Sequence, residues 1–202
     1  MKINPFLSTN RAVEIYEEMI FCRRMFCADK NFFLMPDVWN DLLDDEGRWS
    51  IKTFRSSTVG NFKPKAAVIA FDDRATLTVD ERLMENAENG CKLSNFILAH
   101  ELAHLALGHH ERSMVTKNFQ LLLGDKGNSI LPPNLEELEA HFAAVFFQCG
   151  VALEEPRWTS IDLANRACSD VYYVKKAQQY VQLDIFQRQL TRARTPTQRV
   201  VL

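Results

Sequence analysis

The stretch Phe96-Ile97-Leu98-Ala99-His100-Glu101-Leu102-Ala103-His104-Leu105-Ala106-Leu107 decides how this chain is read. It holds no Gly or Pro until Gly108, and Asn95 offers a cap at its start, so it reads as a helix. Except for His100, Glu101 and His104, every side chain in it is apolar. A helix that is apolar all round is buried, and three polar groups inside it need partners. His100 and His104 are four residues apart and project from one face, one turn above each other. Both rings can therefore reach a single metal ion. Glu101 then lies beside that ion, where it can take a proton from a water acidified by zinc. All five histidines of the chain (100, 104, 109, 110 and 141) fall between this helix and residue 141.

Two histidines leave a zinc site incomplete, and a catalytic site takes a third protein ligand while leaving one position open. Downstream, Pro132-Pro133-Asn134 opens a helix with Asn134 as cap. Glu136, Glu137 and Glu139 stand in its first turns, and an apolar run continues from Phe142. Acidic residues there also suit the helix dipole. Glu137 is the expected third ligand, with His141 one turn on as a partner that could orient it. Glu136 is the alternative if the register slips by one. His110 is a further alternative: it stands ten residues after His100, as in metzincins, but Leu107 occupies the position where that pattern has Gly. Cys91, nine residues before His100, is considered as an inhibitory thiolate. Tyr172, Tyr173 and His109 are candidates for stabilising an oxyanion.

Around these helices the chain alternates helix signals with a few strand signals. A helix capped by Ser8 or Thr9 runs to about residue 28, and a short one begins at Pro36-Asp37 and ends by Gly47. Strands are expected over 49–56 and 66–71, with 76–79 as the hairpin partner of the second. Asp80 caps a short helix toward Asn89-Gly90. A polar segment from Gly108 to Ser129 is expected as a loop over the cleft. Ser160 should cap a helix to Ala167, and Ser169 or Asp170 one reaching about Leu190. Arg192, Arg194 and Arg199 lie in an expected flexible tail over 191–202. The fold expected is α+β: a small sheet on a mostly helical, zincin-like domain with C-terminal helices. One domain covers 1–190, with N-terminal helices in 1–47, sheet and motif helix in 48–110, and the third-ligand and C-terminal helices in 134–190.

Composition bounds the function. The chain has 202 residues, is 47% hydrophobic and 25% charged, and carries a net charge of −2. That balance gives no pull toward nucleic acid or an anionic membrane surface. No apolar run approaches the ~20 residues of a membrane span, and Met1-Lys2-Ile3-Asn4-Pro5 carries no apolar signal core. Five cysteines without paired spacing fit a reducing compartment; Cys22, Cys27 and Cys149 read as small buried apolar residues. The expected location is the cytoplasm.

Three segments resemble the ImmA/IrrE-like metallopeptidases. Asn95 to His104 resembles that family's motif helix, Glu137-Leu138-Glu139-Ala140 with Ala144 its Glu-x-Glu/Gln-Ala helix, and Leu163-Ala164-Asn165-Arg166 with Ser169 a later segment of helix-turn-helix character. They fall within residues 66–177, in the family's order. The chain departs where Ala143-Ala144 stands for the family's Phe-Ala pair and Phe146-Phe147-Gln148-Cys149 for its Leu-Leu-Met-Pro. The resemblance implies a zinc-dependent endopeptidase with Zn2+ on His100, His104 and Glu137 and Glu101 as general base. Its implied partner is a helix-turn-helix transcription repressor, cut to release stress, mobile-element or phage-defence genes. The competing reading is a non-catalytic, metal-containing regulator whose residues 160–190 bind DNA or a partner.

Overall fold

The computed structural model describes residues 7–27, 31–43, 48–55, 66–71, 74–109 and 135–194. Two N-terminal helices come first: α1, Thr9–Arg24, capped by Ser8, and α2, Met35–Asp41, with Pro36 in its first turn. Strands β1 (Trp49–Phe54), β2 (Ala66–Phe71) and β3 (Arg74–Asp80) form one sheet in the order β1-β3-β2. β2 and β3 pair antiparallel, as the hairpin reading expects, with Val68 opposite Leu77. β1 pairs parallel with β3, a non-local pairing that no turn signal announces. Asp80 ends β3 and caps α3, Glu81–Glu88, by accepting the Arg82 N–H at 3.0 Å. The architecture is therefore α+β, with a small mixed sheet in a mostly helical chain.

The motif helix α4 runs from Lys92 to Ala106, and Gly108, with φ of 61°, turns the chain out of it. Its cap position is Cys91, not Asn95. Asn95 is buried one turn inside, where its side chain accepts the Met35 N–H at 2.8 Å and donates to the Ala87 and Cys91 carbonyls. It ties α4 to the start of α2 and the end of α3. The cap chemistry of Asn95 is thus spent on tertiary hydrogen bonds and not on the expected helix start. Cys91 is exposed at the helix start. Nine residues at ~1.5 Å rise put it ~13 Å along the axis from His100, so it is no inhibitory ligand of the site.

α5, Leu135–Cys149, packs along α4 and α1. Ala99 and Ala103 of α4, with Ala140, Ala143 and Ala144 of α5, are at most 1% exposed. Small residues let the two backbones approach, while Phe96, Phe142 and Phe146 fill the space beside them. Each large apolar side chain buried here contributes ~1.5–3 kcal/mol. That is the energy that holds three polar motif residues in the interior.

A 3-10 turn, Gly150–Glu154, follows α5, then α6 (Ser160–Arg166), α7 (Val171–Val181) and α8 (Asp184–Arg194). Thr159, not Ser160, caps α6; the Ser160 hydroxyl instead donates to Gln178 at 2.6 Å. Asp170 caps α7 as expected. The long last helix of the sequence reading is broken at Gln182-Leu183, and α8 continues through 191–194, four residues assigned to the tail by sequence. Residues 195–202, Asn134 and the expected loop over the cleft (from residue 110 on) lie outside the described residues. No helix among the described residues is long and apolar enough to cross a membrane, and all five cysteines are free. Cys149 is fully buried, which pushes its thiol up to about 12, so it acts as an inert apolar residue; Cys22 and Cys27 are half-buried.

Gly150 shows how the end of α5 is closed. Arg23 of α1 is fully buried and donates to the Phe147 and Gln148 carbonyls at 2.6 and 3.0 Å, satisfying groups left open at that helix end. Gly150 has φ of +55°, and a Cβ there would lie 2.5 Å from Arg23 Nε. Gly150→Ala is therefore expected to destabilise the fold by ~1–3 kcal/mol, from left-handed strain and the displaced guanidinium together. Urea unfolding checks this; an unchanged midpoint would show that Arg23 shifts without loss.

Candidate metal centre

His100, Glu101 and His104 are carried by the second half of α4, and α5 brings its first turns alongside them. The two helices pack against each other along their length. His100 Nε2 lies 3.3 Å from Glu137 Oε2, and His104 Nε2 lies 3.5 Å from Glu137 Oε1. One ligand atom from each of the three residues falls within 4.8 Å of the other two. Among the described residues this is the group of His, Cys, Asp and Glu side chains able to hold a metal ion, and it is the set expected from sequence. Glu136 is not in it; a neighbour on a helix is turned ~100° away. His110 lies outside the described residues.

Two observations test whether these residues fit a metal. Ligand atoms ~2.0–2.1 Å from a tetrahedral ion are ~3.3–3.4 Å apart, close to the two separations between the histidines and the Glu137 oxygens. Both ring nitrogens of His100 are buried, and among the described residues neither makes a well-formed hydrogen bond, although a carboxylate oxygen lies 3.3 Å from Nε2 and another 3.6 Å from Nδ1. An imidazole so placed is unsatisfied unless something else fills the site. The histidines are 0–1% exposed, while Glu137 is 29% exposed, so the group is buried on the α4 side and reachable from the α5 side.

Glu101 is also fully buried. Its Oε2 accepts the backbone N–H of Val68 at 3.1 Å, and its Oε1 lies 3.6 Å from His100 Nδ1. Burial raises its carboxyl pKa above the usual range, against the lowering pull of His100 and of the Val68 N–H. For His100 burial favours the neutral ring, but the Glu101 and Glu137 carboxylates outweigh it and raise its pKa. β2 is an edge strand that packs against α4, so the bond from Val68 fixes Glu101 to the edge of the sheet.

His141 and His109 play parts that the sequence did not predict. His141 was expected to orient the Glu137 carboxylate. Instead its Nδ1 donates to the Glu137 backbone carbonyl one turn back. Its ring packs edge-on against His100, centroids 4.7 Å apart, and stacks on Tyr173 at 4.5 Å. Burial, with the neighbouring His100 charge, lowers the His141 pKa to about 4, so the ring is neutral. Tyr173 is half-buried between His141 and Phe96, and burial pushes its phenol up to about 12. Tyr172 is 58% exposed, under the Lys176 ammonium. His109 is fully buried: its Nδ1 is 2.8 Å from His104 Nδ1, and its Nε2 is 3.2 Å from Glu139 Oε2. A ring held on both sides in this way does not face a substrate. Of the three oxyanion candidates, Tyr173 alone combines partial burial with a place beside the site.

Glu139 reaches past His109 to α1, where Arg11 donates from Nε and Nη2 to its two oxygens, both at 2.9 Å. Burial would raise the Glu139 carboxyl, but the hydrogen bonds from Arg11 and His109 outweigh it and hold it below the usual range. The sequence signal for this chain was weak. Five histidines near one motif hinted at support for the metal ligands, but nothing local ties Arg11 to Glu139. Comparison of the chain with protein-family models, curated protein sequences and solved structures finds no match.

Proposed function

We propose that this chain is a zinc-dependent endopeptidase with a regulatory role in the cytoplasm. The observation that carries the reading is the convergence of His100, His104 and Glu137 beside a buried Glu101. A zinc ion held by the first three would supply Lewis acidity, which acidifies water and polarises a peptide carbonyl. Glu101 takes the proton from the attacking water and returns it to the departing amine. The Val68 N–H holds its carboxylate still. An extended peptide suits the outer edge of β2, where alternate backbone groups face away from β3. The competing reading is a metal-containing regulator without activity, in which Glu101 only fastens α4 to β2 through the Val68 N–H and faces His100 Nδ1.

The substrate class follows from the ImmA/IrrE resemblance: a helix-turn-helix repressor, cut at one or a few bonds. The test is to purify the chain, measure its metal content and incubate it with repressors encoded beside it and with casein. One zinc per chain and discrete cuts in a repressor are expected. Rapid digestion of casein would overturn the regulatory role, and a fully zinc-loaded chain that cuts neither would overturn the protease.

A further inference from the structure

We infer that Cys91 and Cys168 form a peroxide-responsive thiol pair, oxidised to a disulfide that fastens the start of α4 to the turn between α6 and α7. The inference goes beyond the proposed activity and does not rest on it, since neither sulfur belongs to the metal-binding group.

Two contacts join these turns, one on each side of Cys91. The Cys168 thiol donates to the Gly90 carbonyl, with Sγ 3.6 Å from the oxygen. Lys92 donates from Nζ to Asn165 Oδ1 at 2.8 Å. Cys91 lies between residues 90 and 92, so it is held against the end of α6. A trans peptide puts the Gly90 oxygen ~2.8 Å from the Cys91 Cα, which places the Cys168 sulfur within ~6.4 Å of that Cα. A disulfide bond is ~2.05 Å long, and a change of χ1 at one or both cysteines is the motion that forms it.

The two thiols differ in chemistry. Cys91 is exposed at the cap position of α4, whereas Cys168 is half-buried. Burial raises the Cys91 thiol, but the Ser94 N–H and hydroxyl and the Leu93 N–H facing it outweigh this and hold it below the usual thiol range. Burial and the Cys91 charge hold Cys168 above that range, against the pull of Lys92. Cys91 is therefore the thiol that meets peroxide first, and Cys168 the one that resolves it. The backbone at Cys168 is also unusual. Its φ is 47°, and among the described residues no other non-glycine has a positive φ. The Ser169 N–H bonds the Ala164 carbonyl at 2.9 Å, a helix ending that usually has Gly where Cys168 stands. A thiol is thus kept beside Cys91 at a position where a side chain strains the chain.

The oxidant is hydrogen peroxide. The Cys91 thiolate attacks one peroxide oxygen, the O–O bond breaks, and the leaving hydroxide takes up a proton as water. Cys91 is then a sulfenic acid. The Cys168 sulfur, giving up its proton, attacks the Cys91 sulfur; the S–S bond forms, the S–O bond breaks, and a second water leaves. Two thiols lose two electrons in all, and one peroxide is reduced to two waters.

The test treats reduced, full-length protein with a small excess of hydrogen peroxide and digests it with trypsin without reductant. Residues 83–92 contain Cys91 and residues 167–175 contain Cys168, each as the sole cysteine of its peptide. Mass spectrometry should find these two peptides linked as the main disulfide of the monomer. The linked protein should melt ~5 °C or more above the reduced one, and dithiothreitol should reverse the shift. Two variants suit their local backbones: Cys91→Ser, because Ser caps helices, and Cys168→Gly, because Gly accepts a left-handed φ. With peroxide and dimedone, Cys91 in Cys168→Gly should be labelled ~10-fold faster than Cys168 in Cys91→Ser. Four results would overturn the inference: no linked pair in wild type, a pair formed only between chains, an unchanged melting temperature on linkage, or equal labelling of the two cysteines.

Discussion

On the proposed zinc-peptidase reading, Glu101→Gln is expected to lower peptide cleavage by ~10³-fold or more while the protein stays folded and still takes up zinc. A positioned general base contributes ~10²–10⁴-fold, and an amide cannot take the proton. The geometry makes the substitution clean. Gln keeps the shape of Glu, and its carbonyl oxygen can still accept the Val68 N–H. Glu101 is not among the three residues that converge as ligands, so zinc binding should hold. Stability should hold or rise, because a fully buried carboxylate is replaced by a neutral group. The expected pattern is activity lost with an unchanged or higher melting temperature, read by a peptide assay and a thermal scan on one preparation. Turnover at more than a tenth of the wild-type rate would remove Glu101 from the proton-transfer role.

That pattern also explains why the motif was legible in the sequence. A buried helix that keeps a carboxylate and two imidazoles works against its own burial, and such local conflict marks functional positions. The α+β class followed from helix and strand signals of ordinary strength. β2 was readable as a continuous apolar run, and β3 as its hairpin partner after the turn signal Asp72-Asp73-Arg74. The β1–β3 parallel pairing was not, since its partners are far apart in the chain and no periodicity encodes them. The cap of α4 was misjudged because Asn95 has the right chemistry for a cap, and only the packing of α2 and α3 employs it elsewhere. The break before α8 carries no Gly or Pro. His109 was visible as a histidine near the site, but its contacts run to Glu139 on α5 and, through Glu139, to Arg11 on α1. Ligand spacing is local in sequence, whereas the shell that orients ligands is assembled from distant segments.

The third ligand is the remaining large effect, and the structure sharpens the expectation. Glu137 alone among the acidic residues of α5 converges on both motif histidines, at 3.3 and 3.5 Å. Glu139 is committed to Arg11 and His109, and Glu136 is a helix neighbour turned away. Structural zinc sites bind with ~10–16 kcal/mol over four ligands, or ~3 kcal/mol for each. Glu137→Ala should therefore weaken zinc by ~10²-fold or more, since ~1.4 kcal/mol is tenfold. Glu136→Ala should leave affinity within ~2-fold. Glu139→Ala should fall between, ~10–100-fold, because Glu139 holds His109, whose ring touches His104, and is not among the converging ligands. A dye-competition titration of the three variants, with His110→Ala beside them, orders the four residues. If Glu136→Ala is the most damaging, α5 is rotated by one residue from the arrangement described. If His110→Ala is, the site is closed by three histidines and Glu137 has another use.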